Sequence, residues 1–178
     1  MIESHLLKIR PIKEKDLDVL YALLEQSILK NEFFPKNIES EYKFKRNFLE
    51  NGLWDENDAS TIITNLKDEI IGMITYQRAA LIDALEIKYI IFNEKNRGRG
   101  FMKEALNLFS KYLFSTKQIN RLQLAIPDYH RASIAVAQKC GYIFEGIARG
   151  ALFSKGSYLD LCIYSMLRDE SKNIDKLF

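Results

Sequence analysis

Little in this sequence suits disulfide or metal chemistry. Its 178 residues include two cysteines and two histidines. Cys140 and Cys162 form no C-x-x-C pair, and with only His5 and His130 no metal-ligand spacing arises. Both cysteines lie in apolar stretches and read as reduced core thiols. No proline-, glycine- or serine-rich linker divides the chain, and no repeat or low-complexity segment is visible. No apolar run approaches the ~20 residues of a membrane span. The opening MIESHLLKIRPIKEKD has no stretch of signal-peptide character. A cytoplasmic protein without membrane association is expected. An excess of one charge sign is also missing, since 26 basic residues face 24 acidic ones. That balance leaves no electrostatic footprint for nucleic acid. The cluster Lys43, Lys45, Arg46 reads as a solvated helix face.

The hydrophobic share is 47% and the charged share 28%, the composition of a globular chain. Length favours one domain, taken as 1–170, with a frayed tail over 171–178. HLLKIRPI reads as a strand. Apolar positions Leu17, Leu20, Tyr21, Leu24 and Ile28 make a helical stripe over 14–30, and a second helix covers 38–50 up to the stop Asn51-Gly52. STIITNL and EIIGMITYQ form a hairpin turning at Lys67-Asp68. In the strand 82–92, Leu85, Ile87, Tyr89 and Ile91 share one face, and Glu86, Lys88, Ile90 and Phe92 the other. A helix over 101–114, strand 121–127, helix 132–140 and strands 142–148 and 158–167 complete the order β-α-α-β-β-β-α-β-α-β-β. The strand–helix–strand passage in the middle demands a right-handed crossover and a parallel pair within a mixed sheet.

Chemistry concentrates in two segments. The first is YIIFNEK-NRGRG-FMKEAL, where glycines precede a helix. Free N–H groups of a first helical turn, together with the helix dipole, attract an anion, and Lys95, Arg97 and Arg99 add cations beside them. The segment is not a Walker loop, and Lys103 stands where a dinucleotide fingerprint needs its third glycine. The second segment is HRASIAVAQKCGYIFEG, a helix with an apolar stripe closed by Gly141, in which His130 and Ser133 sit where capping residues belong.

Together these segments resemble the GNAT family of acetyl-CoA-dependent N-acetyltransferases. Its loop Q/R-x-x-G-x-G/A is matched by Lys95-Asn96-Arg97-Gly98-Arg99-Gly100, and its N-x-x-S/A…G-F by His130-Arg131-Ala132-Ser133…Gly141-Tyr142. Glu145-Gly146, Asp160 and the closing Y-S-M-L resemble the RimJ/RimL branch, whose type members acetylate N-terminal amines of ribosomal proteins. Lys95 departs from Gln/Arg, and His130 from Asn. Ala137 occupies the position of the tyrosine acid of many members, which leaves the Ser133 hydroxyl as the substitute.

The resemblance implies a three-layer α/β/α fold around a mixed, splayed sheet of about seven strands. It also implies direct attack of a primary amine on the thioester of acetyl-CoA, with no metal. The pantetheine arm would enter between strands 84–92 and 121–127. Ile90, Ile91 and Phe92 would meet it, a backbone N–H near Ile90 or Ile91 polarising the carbonyl. Lys95 through Phe101 would hold the pyrophosphate, with His130 and Ser133 completing the cofactor side.

Glu86, in Glu86-Ile87-Lys88-Tyr89 where the branch has E-I-G-Y, is the candidate base; its other reading is a surface carboxylate paired with Lys88. Lys88 shares its face about 7 Å along the strand, and a cation there makes a carboxylate the weaker base. That suits an α-amine, of pKa about 7.7–8.0, better than a lysine near 10.4. Phe33, Phe34 and Trp54 are either acceptor-pocket or core residues. The acceptor is expected to be a protein N-terminus; the alternatives are a small-molecule amine (antibiotic, aminoacyl-nucleotide or polyamine) and a non-catalytic acetyl-CoA-binding regulator. The oligomeric state is left as monomer or homodimer.

Overall fold

The computed structural model describes residues 1–30 and 39–172. The strands are β1 (Ile2–Glu3), β2 (Lys8–Pro11), β3 (Asp58–Thr64), β4 (Ile70–Arg78), β5 (Leu85–Ile91), β6 (Arg121–Pro127), β7 (Ile143–Ser154) and β8 (Ser157–Leu167). The helices are α1 (Leu17–Lys30), α2 (Glu41–Asn51), α3 (Phe101–Thr116), α4 (Arg131–Lys139) and the short α5 (Arg168–Ser171). All eight strands join one sheet in the order β1-β2-β3-β4-β5-β6-β8-β7. Only β5 and β6 run parallel, linked by the α3 crossover that the sequence order demands.

Alternation along the strands divides the core between the two faces. One face carries Ile63, Ile74, Tyr76, Leu85, Ile87, Leu122, Leu124 and Tyr164 against α3 and α4, whose Ala105, Leu106, Phe109, Leu113 and Ala137 are buried there. The other face carries Ile62, Met73 and Phe92 against Leu17 and Leu20 of α1 and Phe44 of α2. Three layers result, as the resemblance implies.

The sheet has eight strands rather than seven. The extra one, β1, spans two residues paired at Ile2↔Ile9 and Glu3↔Lys8, too short to show a period of its own. β7 also outruns the expected 142–148. It reaches Ser154 across register shifts at Phe144/Gly146 and Ala148/Leu152, which break the alternation that marks a strand in sequence. Its hairpin with β8 turns on Lys155 and Gly156, both at positive φ, a two-residue turn whose twist matches the strands. In the expected tail, Ser171 closes α5, while 173–178 lie outside the described residues.

The base of α1 is fixed by a buried ion pair. Arg10 of β2 donates to both carboxylate oxygens of Asp16 at 2.7 and 3.0 Å, and its Nε reaches Asp68 in the β3–β4 turn at 3.0 Å. Burial pushes the Asp16 carboxyl up, but hydrogen bonds from the Arg10 guanidinium and the Lys13 N–H outweigh it and hold the group below its usual value.

Candidate active site

The decisive geometry lies between β5 and β6. The two strands pair at Leu85↔Leu122 and Glu86↔Gln123 and nowhere beyond, although β5 continues to Ile91 and β6 to Pro127. On its other side β5 stays fully zipped to β4, from Arg78↔Leu85 to Gly72↔Ile91. A wedge therefore opens after Glu86. Phe92 N–H donates to Ile71 O across the β4 side at 3.1 Å, so the period of two turns the backbone of Ile90 toward β4 and that of Tyr89 and Ile91 toward the wedge. Of the two N–H groups the sequence left open, the one facing the gap belongs to Ile91.

Gly72 holds β4 close at this point. A Cβ there would meet the Ile90 carbonyl oxygen and come within 3.0 Å of Ile91 Cδ1.

At the open end of the wedge, Asn93 caps a 3-10 turn over Glu94–Asn96, accepting from Lys95 N–H at 3.2 Å. Gly98 and Gly100 then adopt left-handed φ of 68° and 84°, with open space where a Cβ would stand. Gly100 is the N-cap of α3 and, having no side chain, makes no side-chain cap hydrogen bond to the first turn that begins at Phe101. Arg97 folds its Nε back to Ile91 O at 3.4 Å, and Arg99 lies over the Phe101 ring. An uncapped helix N-terminus between glycines and flanked by cations has the donor set of a phosphate site.

The α4 end stands on the α3/α4 face of the wedge. His130 is the N-cap of α4: its Nδ1 accepts from Ser133 N–H at 3.2 Å, and its Nε2 lies 3.4 Å from Ser133 Oγ. The imidazole thus does the capping that an asparagine would do. Tyr89 crosses from β5 and donates its hydroxyl to Ser133 O at 3.3 Å, and burial pushes this phenol well above the ordinary tyrosine value. Burial likewise pushes the Cys140 thiol up to about 12, which keeps it inert.

The opposite face carries a row that the sequence did not reveal. Register aligns Gln77, Glu86, Gln123 and Ser165 across four strands. Glu86 stands at the closed end of the wedge with its side chain 20% exposed; Lys88 Nζ approaches its Oε1 to 3.7 Å and is held at 2.9 Å by Gln77 Oε1. Glu145 sits nearby, engaged by both terminal nitrogens of Arg121 and by Ser165 Oγ at 2.7 Å. The Arg121 and Ser165 hydrogen bonds pull its carboxyl down to about 2. That group is fixed as an anion, whereas Glu86 has an ion pair and no hydrogen bond among the described residues. Arg121 and Gln123 alternate outward from Leu122 and Leu124, a visible signal, but their place beside Glu86 depends on register between distant strands.

The three expected pocket residues fall elsewhere or outside the described residues. Trp54 bridges to Ala59 and packs on the α3-side core, across the sheet from Glu86, consistent with the core reading. Phe33 and Phe34 lie outside the described residues.

Residues 7–143 match the family model described as an acetyltransferase (GNAT) domain. The chain belongs to the GNAT acetyltransferase family. It is an acyltransferase of the kind that uses acetyl-CoA. Among its relatives, the SPbeta prophage-derived uncharacterized N-acetyltransferase YokL of Bacillus subtilis (strain 168) is 26% identical over 167 residues, covering 92% of this chain and 91% of that protein. The ribosomal-protein-serine acetyltransferase of Escherichia coli (strain K12) is 24% identical over 175 residues, covering 93% and 95%. In fold, the chain is similar to the crystal structure of spermidine N-acetyltransferase from Vibrio cholerae in complex with CoA and spermine. The TM-score is 0.80 at 19% identity, over 94% of this chain and 98% of that one. Among the described residues of this GNAT chain, no group of three or more His, Cys, Asp or Glu could hold a metal, and no helix is long and apolar enough to cross a membrane.

Proposed function

We propose that this GNAT domain transfers the acetyl group of acetyl-CoA to a primary α-amine, as in the RimJ/RimL branch, with protein N-termini as the acceptor class. The wedge after Glu86 carries the reading. Its two unpaired strand edges suit an extended pantetheine arm added as a strand would be, and it ends at the uncapped α3 terminus, which suits a pyrophosphate. Lys95, Arg97 and Arg99, with the backbone from Asn96 through Gly100 and Phe101, form that cradle; Ile91 N–H is the donor for the thioester oxygen.

The two faces of the wedge divide the chemistry. Glu86 accepts the proton of the attacking amine through water, while Ser133, steadied by His130 and Tyr89, supplies a proton to the departing thiolate on the α3/α4 side. The bond formed is amine nitrogen to acetyl carbon, and the bond broken is carbon to sulfur. Glu145 is unsuited to the base role, because the hydrogen bonds from Arg121 and Ser165 lower its affinity for a proton.

Thiol release from acetyl-CoA, measured with peptides beginning Ala, Ser or Met, with spermidine and with an aminoglycoside, tests this. Turnover of a peptide is expected, with kcat lowered about 10²–10⁴-fold in Glu86→Gln and in Ser133→Ala. An undiminished Glu86→Gln variant, or turnover of spermidine alone, refutes it. Acetyl-CoA binding without turnover on any acceptor identifies a regulator instead.

A further inference from the structure

Two carboxylates on the floor beside the wedge each face a cation. Glu86 faces Lys88, and Glu145 faces Arg121. Asp58, at the far end of the same row on β3, is hydrogen-bonded to Asp55. Lys88 replaces the glycine that this position carries in E-I-G-Y, and its ammonium is not left to wander. Gln77 of β4, the cross-strand partner of Glu86, fixes it at 2.9 Å, so it stands 3.7 Å from the one carboxylate here that lacks a hydrogen bond. An acceptor arriving as an ammonium is repelled by the cation already stationed at Glu86; an acceptor arriving as a free amine is not.

We infer that Lys88 is a specificity-determining residue that admits amines in their neutral form and turns away polycations. The inference rests on the proposal that the Glu86 face receives the acceptor. Near pH 7.4 the neutral fraction of an α-amine exceeds that of a lysine-type amine by about 300-fold. A site that demands the neutral form imposes that ratio on selection. The acceptor chemistry this fits is an α-amine on an uncharged segment, and the chemistry it disfavours is spermidine or a lysine side chain.

The test compares kcat/KM for an Ala-starting neutral peptide and for spermidine in the wild type, Lys88→Gln and Lys88→Arg. Lys88 is 59% exposed, so neither substitution threatens the fold. The wild type should favour the peptide by about two orders of magnitude. Lys88→Gln, which removes the cation, should narrow the ratio about tenfold or more by raising the spermidine value. Lys88→Arg, which keeps it, should hold the wild-type ratio. A peptide preference that Lys88→Gln leaves unchanged overturns the role of Lys88 and leaves the proposed α-amine activity standing. A wild type that prefers spermidine, or turns over neither acceptor, overturns both.

Discussion

Gly72 offers a direct test of how the wedge is held. Substituting alanine adds one methyl group on the α3/α4 face of β4, where it would run into the Ile90 carbonyl oxygen. The neighbouring Ile91 Cδ1, at 3.0 Å, is the end of a flexible side chain and can swing aside. The carbonyl is backbone and can retreat only if β5 moves away from β4. Overpacking of this kind costs about 1–3 kcal/mol, and a strained ladder hydrogen bond adds roughly 1 kcal/mol. For a chain of this size each kcal/mol lowers Tm by about 2–4 °C, so a fall of about 4–16 °C is expected. The displaced segment is Ile90–Ile91, the edge of the wedge, so KM for acetyl-CoA should rise as well. Calorimetry paired with thiol-release kinetics reads both effects. A Gly72→Ala protein that melts within a degree of wild type with unchanged KM would refute the packing account and the assignment of β5 to the cosubstrate.

Other outcomes follow from the ion pairs. Asp16→Asn leaves the Arg10 guanidinium buried with only the half-exposed Asp68 as a charged partner, and should cost about 3 kcal/mol in urea unfolding; a loss under 1 kcal/mol would mean the pair contributes little. The carboxyl of Glu145 is depressed in the folded state, so its contribution is complete above the unfolded value and fades as pH falls from about 5 toward about 2. At 39% side-chain exposure, screening reduces that contribution to about 1 kcal/mol. The stability gap between wild type and Glu145→Gln should therefore shrink between pH 5 and pH 3, and a gap that stays constant with pH would contradict it.

Much of the fold was legible because each element carries its own period. The α1 stripe at Leu17, Leu20 and Leu24, the Gly52 stop of α2, and the alternation through Leu85 and Ile87 all reflect local geometry. The glycine turn ahead of α3 was legible too, being six consecutive residues. What escaped was register. Nothing local to R-L-Q-L reveals that Gln123 stands opposite Glu86, or that Arg121 reaches Glu145 twenty-four residues away. Ile90 and Ile91 look alike in sequence, and only the Phe92–Ile71 hydrogen bond tells which turns its backbone into the gap. Glu145 and Asp160, prominent in the resemblance, hold the sheet: one anchors Arg121 and Ser165, the other accepts Gly150 N–H at 2.8 Å in the terminal hairpin.

The brevity of the β5–β6 pairing also bears on how the chain assembles. Strands β1 to β5 pair with one another antiparallel in sequence order, and β6 to β8 form a second antiparallel set. Within each set the strands pair along most of their length, whereas the seam between the sets rests on two register pairs, Leu85↔Leu122 and Glu86↔Gln123, and the α3 crossover. The wedge is therefore a boundary between two cooperative units, where local opening is least resisted. A molecule that spans it stitches those units together and should slow amide exchange on both sides of the seam.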